Sequence, residues 1–167
     1  MTRNFIIAII TLIKQDIDVA LVSDAGTPAI SDPGFRLIRE CVKEGIRVES
    51  IPGPSALISA LVMSGLPTDK FTFLGYLPKK ESHKKKLLEG VKSMQIKSTI
   101  ILYESPYRLV ENLEVIKEVL GDIEIVICSE LTKIHEKARR GTATELIELF
   151  KKDKPRGEFV VLFHTED

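Results

Sequence analysis

The stretch DVALVSDAGTPAISDPG, residues 18–34, decides how this chain is read. Residues 19–23 are a short apolar run, the length of one buried strand in a parallel sheet. The run stops at Asp24. The next ten residues hold Gly26, Pro28, Asp32, Pro33 and Gly34 before helical periodicity begins at Phe35. Gly26 and Gly34 open backbone angles closed to other residues, and the two prolines fix φ, so the loop is expected to hold one shape. A shaped loop at the carboxyl end of a parallel strand is where open α/β sheets bind ligands. A tight strand-to-helix connection, with Asp32 near an N-cap and Pro33 in the first turn, accounts for the same residues without a ligand.

Outward from this loop the chain alternates between periods. Upstream, residues 5–14 form an apolar run that periodicity alone cannot assign; a helix is expected because a strand follows almost at once. Downstream, a helix over residues 35–44 is closed by Gly45, and residues 47–51 are a second strand ended by Pro52, Gly53 and Pro54. Ser55 then caps a helix reaching Ser64. Strand–helix–strand–helix is the α/β signature, so the fold class is α/β. Residues 66–69 read as a linker, dividing the chain into domains 1–66 and 67–167. In the second domain, strands are expected at 71–74, 99–103, 124–128 and 157–163, with helices at 82–93, from Ser105 to Leu120, and at 142–152. The charged segment 129–140 is left as a connection.

Composition narrows the class. With 44% hydrophobic and 29% charged residues the chain is an ordinary globular one, and its formal net charge of zero gives no overall attraction to nucleic acid or membrane. The apolar run near the N-terminus is far too short to span a bilayer, and no small-residue cleavage site precedes Lys14. Cys41 and Cys128 both read as buried, reduced thiols, which fits a cytoplasmic protein. The histidines at 83, 135 and 164 lie in different segments without metal-ligand spacing, so no metal site is expected. Ser55 lies in GPSAL, which lacks the G-x-S-x-G elbow, and both the Walker and G-x-G-x-x-G patterns are missing.

Basic charge clusters locally. Between residues 76 and 100 there are seven lysines and two glutamates, a balance of +5. Arg108, Lys133, Lys137, Arg139 and Arg140 are further candidates for a basic face. Lysines on a helix are usually a solvated face. Their position directly after Tyr76, Leu77 and Pro78, however, suits a surface that grips a phosphate backbone beside stacked bases.

Six stretches occur in one order: SDAGTPAISDPG (23–34), IPGPSA (51–56), FLGYLP (73–78), YESPYR (103–108), SELTK (129–133) and RGEFVVL (156–162). Together they resemble the tetrapyrrole methylase superfamily, and within it the branch that methylates the ribose 2′-hydroxyl of a cytidine in small-subunit ribosomal RNA. The resemblance implies two α/β domains, S-adenosylmethionine (SAM) as methyl donor, ribosomal RNA as partner and a homodimer. By position it assigns Asp24, Ala25, Gly26, Thr27, Ile30, Ser55, Ala56, Tyr103, Leu131 and Gly157 to the donor. Glu130, Lys133 and Glu104 are the candidate catalytic groups, with Glu158 as a further carboxylate. RNA contacts fall to Lys79, Lys80, Lys84, Lys85, Lys86 and Arg108.

The family opens with a strand, a glycine-containing loop and further helix–strand units ahead of the segment matching residue 18 onward. The first domain is therefore expected to be truncated, to expose apolar faces and to recruit a partner. Two other readings stay open: a small-molecule methyltransferase acting on a tetrapyrrole, and a non-catalytic RNA-binding remnant.

Overall fold

The computed structural model describes residues 2–165. The chain forms two compact units, Met1–Ser55 and Ala56–Asp167. The division falls at the start of the helix after Ser55 rather than at residues 66–69, because that helix packs on the sheet of the second unit.

In the first unit α1 (Arg3–Ile13) and α2 (Phe35–Lys43) pack through Ile6, Leu37 and Cys41, flanked by Ile9, Ile10, Ile13 and Ile46. The expected helix over the N-terminal apolar run is thus present, capped by the Thr2 hydroxyl, which accepts from Phe5 N at 3.4 Å. Gly45 ends α2 in a Schellman motif. Ile46 N donates to Cys41 O at 2.9 Å and Gly45 N to Val42 O at 3.2 Å, and the motif's hydrophobic residue, Ile46, joins the core. The expected strands at 19–23 and 47–51 do not form: neither segment carries a hydrogen-bonded ladder. A β-branched run becomes a strand only where a neighbour completes its backbone bonds. Here Val22 and Ile51 are each 81% exposed.

The second unit holds α3 (Ala56–Ser64), β1 (Phe71–Tyr76), α4 (Glu81–Lys92), β2 (Thr99–Glu104), α5 (Leu109–Leu120), β3 (Glu124–Ser129), β4 (Lys137–Thr142), α6 (Ala143–Lys152) and β5 (Phe159–His164). Its five strands form one sheet in the order β1-β2-β5-β3-β4; β1 runs parallel to β2 and every other pair is antiparallel. All the expected strands are present. The charged segment left as a connection supplies an additional one, β4, an edge strand read through its register with β3 rather than through any apolar run. The helix after Ser105 begins only at Leu109, because Arg108 N and Leu109 N both bond to Ser105 O in a turn first.

Alternation along the strands sorts the two faces. Ile100, Leu102, Ile125, Ile127, Phe159, Val161 and Phe163 face the layer of α4, α5 and α6. Ile101, Val126, Cys128, Val160 and Leu162 face α3 through Leu57, Ala60 and Leu61. A capping box starts α6: Thr142 Oγ1 accepts from Glu145 N, and Glu145 Oε2 accepts from Thr142 N at 3.0 Å.

Candidate functional site

In the first unit the loop opened by Asp24 is held by its own side chains. Ser23 Oγ donates to Ala25 O at 3.2 Å, and Thr27 Oγ1 donates to Pro54 O at 3.0 Å, tying the loop to the second proline-rich turn. Thr27, one of the residues assigned to the donor, therefore spends its hydroxyl proton on the backbone. Asp24, Ala25, Gly26 and Ile30 are exposed and Ser55 is half-buried. Gly26, Ala29 and Ser31 have φ of 71°, 69° and 59°. Left-handed backbone at two non-glycine residues in one short loop is strain of the kind that collects at ligand sites. At Gly26 an added Cβ would meet only Pro54 O, at 3.6 Å, so the backbone stays open to a ligand. Asp32 does not cap α2; the N-cap is Gly34, which makes no side-chain capping bond.

In the second unit the register brings four of the quoted stretches to one end of the sheet. Tyr76 pairs with Tyr103, Tyr103 with Val160, and Val160 with Cys128; one step further out Glu104 lies beside Phe159, which lies beside Ser129. Tyr103 stacks edge-on against Phe73 (4.8 Å between centroids) and Tyr76 (5.9 Å), and with Leu131 it flanks the core cluster under α3. Ala56, at the start of α3, is exposed.

The connection after β3 is strained in its turn. Glu130 and Thr132 have φ of 51° and 64°. Lys133 Nζ lies 3.3 Å from both carboxylate oxygens of Glu130, and Thr132 N donates to Glu136 Oε2 at 2.6 Å. Gly157, at φ +78°, lies against this loop: a Cβ there would fall 2.7 Å from Glu130 Oε1. Glu130, Lys133 and Gly157 are therefore brought together, whereas Glu104 stands apart. Its side chain is buried, with Oε1 accepting from Ser105 N at 2.8 Å and Oε2 held by Asn112 Nδ2. Asn112 Oδ1 has no partner among the described residues. Both of its oxygens are engaged, and through them Glu104 ties the end of β2 to Ser105 and to α5. Glu158 is exposed.

The expected RNA-binding lysines do not share a face. Lys84, Leu88 and Val91 follow helical spacing along the buried side of α4, and the Lys84 ammonium reaches out to Glu111. Lys84 holds the Glu111 carboxyl below its usual range. Lys85 bonds Glu118 at 2.7 Å and Glu81 at 3.0 Å. Arg108 donates to Leu77 O and Pro78 O at 2.7 and 2.8 Å, clamping the β1–α4 connection. Lys84 and Arg108 are thus structural and Lys85 is already paired; Lys79, Lys80 and Lys86 remain exposed. A count of lysines along the chain cannot register which ones face inward. What that count missed is Lys154 and Arg156, which with Lys137 and Arg139 line a cleft.

Residues 3–147 match the family model of the Tetrapyrrole (Corrin/Porphyrin) Methylases. A protein of Hydrogenobaculum sp. (strain Y04AAS1), named Ribosomal RNA small subunit methyltransferase I, is 50% identical over 162 residues, which are 95% of this chain and 68% of that one. The protein of the same name from Thermotoga maritima is 46% identical over 159 residues, 95% of this chain and 70% of its own. Among solved structures, a cobalt precorrin-4 methyltransferase superposes with a TM-score of 0.66 at 19% identity, covering 98% of this chain and 71% of that one. Uroporphyrin-III C-methyl transferase from Thermus thermophilus, complexed with S-adenyl homocysteine, gives 0.55 at 16% identity, covering 83% and 62%. The sheet order, the loops that end its strands and these matches agree: the chain belongs to the tetrapyrrole methylase family.

Proposed function

We propose that this chain is a SAM-dependent methyltransferase of small-subunit ribosomal RNA, acting on the ribose 2′-hydroxyl of a cytidine in the cytoplasm, and that it works as a homodimer. The observation that carries this reading is 46–50% identity over nearly the whole chain to proteins named for that RNA, against 16–19% to the tetrapyrrole enzymes. The same contrast argues against a tetrapyrrole substrate. Exposed Val22, Phe35 and Ile51 in the first unit favour self-association.

The residues fit the donor. In the first unit Asp24, Ala25, Gly26 and Ile30 form an exposed, shaped loop whose backbone a ligand can approach; Thr27 holds that shape, and Ser55 follows the second turn. In the second unit Ala56, Tyr103, Leu131 and Gly157 are the proposed contacts. SAM supplies a methyl group activated by its sulfonium. Transfer in line demands positioning above all. Glu130 would accept the proton that leaves the ribose hydroxyl, and Lys133 orients its carboxylate. Lys79, Lys80 and Lys86 are the remaining α4-side candidates for RNA.

Calorimetric titration with SAM tests the donor loop. Valine is poorly tolerated at φ +71°, so Gly26→Val is expected to weaken binding at least about tenfold while circular dichroism stays unchanged. Equal binding by parent and variant refutes the loop assignment. Methyl transfer to cytidine 2′-oxygen in small-subunit RNA, read by nuclease digestion and mass spectrometry, tests the substrate.

A further inference from the structure

We propose that the second unit carries an RNA phosphate-binding cleft, gripped by Lys137, Arg139, Lys154 and Arg156, on the sheet face opposite Tyr103 and Leu131. The proposal rests on the RNA-methyltransferase reading and names where the nucleic-acid backbone is held.

The cleft, about 570 Å³, lies where β3 stops and β4 and β5 begin. Alternation along β4 decides its chemistry. Ala138 and Arg140 turn toward α3, where Arg140 donates to Met63 O at 2.5 Å and Ser64 O at 3.1 Å. Lys137 and Arg139 turn the other way. The Arg139 guanidinium lies over the Phe150 ring, 5.2 Å from its centroid, and 3.5 Å from Asp153. Lys154 and Arg156, on either side of Pro155, line the same cleft, as does His135.

The charge balance selects the ligand. The two acids of the lining are already engaged, Glu130 by Lys133 and Asp153 by Arg139. Lys137, Lys154 and Arg156 are exposed and make no ion pair among the described residues. Three unpaired cations around one concavity suit consecutive backbone phosphates. Tyr103 and Leu131 belong to the α3 side of the sheet, whereas Glu130 and Gly157 line the cleft itself, so a strand held by these cations would run up to the proposed proton acceptor. Tyr107, in the turn after β2 at the same end of the sheet, is 92% exposed and offers a ring to a neighbouring base.

The test measures binding of a fluorescent oligocytidylate by the full chain across a salt series. The cleft variant is Lys137→Gln/Lys154→Gln/Arg156→Gln; the charge-matched control is Lys14→Gln/Lys43→Gln/Lys117→Gln. The cleft variant is expected to lose at least about tenfold in affinity and about two units of log–log salt slope, near 0.7 per single-strand phosphate contact. The control should keep the parent slope, and both should melt and bind SAM like the parent. An unchanged slope in the cleft variant, or an equal loss in the control, overturns the cleft alone. A parent chain that binds no RNA at any salt concentration overturns the cleft and the functional reading together.

Discussion

Replacing Gly157 by alanine tests the best-defined contact of the strained connection after β3. Two costs are expected. The backbone at φ +78° disfavours any L side chain, by about 1–2 kcal/mol. The new Cβ would stand 2.7 Å from Glu130 Oε1, closer than such atoms come, so the carboxylate must swing away from Lys133. That pair is partly exposed, with side chains 34% and 66% accessible, so breaking it adds only about 0.5–1 kcal/mol. Gly65 separates the two costs: its φ is +81° and nothing lies within 4 Å of its Cβ position. Urea denaturation should then show Gly157→Ala less stable than Gly65→Ala by about 0.5–1 kcal/mol. In a Glu130→Ala background Gly157→Ala should cost only the backbone term, so the excess disappears, a coupling that a double-mutant cycle isolates. Equal losses at the two glycines, with coupling below about 0.3 kcal/mol, would refute the contact. Calorimetry on the same proteins reads the chemical consequence: displacing Glu130 should lower methyl transfer more than SAM affinity.

Lys84→Met should unfold within about 1 kcal/mol of the parent because a buried ion pair adds little over a well-packed apolar chain. Lys84→Ala should lose about 2 kcal/mol or more through the space it empties, and equal losses in both variants would refute this account. Since Lys84 lowers the Glu111 pKa, the pair's contribution is present above the ordinary carboxylate range and drains away as pH falls through the lowered value. The Met variant should lack that acid step in a pH series of unfolding midpoints. Burial pushes the Cys128 thiol up to about 11, so a disulfide reagent at pH 8 should label it only after unfolding. Its contribution to stability is complete below the ordinary thiol value and is lost as pH rises from there toward 11; rapid labelling of the native protein would refute its burial.

What the sequence disclosed depended on how each residue earns its structure. Runs such as Ile100, Ile101 and Leu102 are buried on both faces, so composition alone identifies β2 as a strand. β4 carries Lys137, Arg139 and Arg140 and owes its form to hydrogen bonds with β3, which local composition does not record. Residues 19–23 show the converse: strand-forming side chains with no neighbour to pair with. The site divided in the same way. Local residues such as Gly26 and Pro28 made the loop at Asp24 legible, whereas the loop at Glu130 was marked only by the family resemblance of 129–133. The inward turn of Lys84, the locked carboxylate of Glu104 and the clamp made by Arg108 all depend on partners far along the chain.

The place of β5 has a consequence for how the protein is made. Among the described residues it is the latest strand of this sheet in sequence, yet it lies in the middle, with β2 on one side and β3 on the other. Until it arrives, β1 with β2 and β3 with β4 are two separate ribbons, each with an open edge where β5 will bind. Nascent chains short of Phe159 would therefore display two sticky templates at once, and such intermediates are the ones that aggregate or call on chaperones. Assembly of the second unit waits on β5, so a chain cut short before Phe159 should aggregate far more than one that extends past His164.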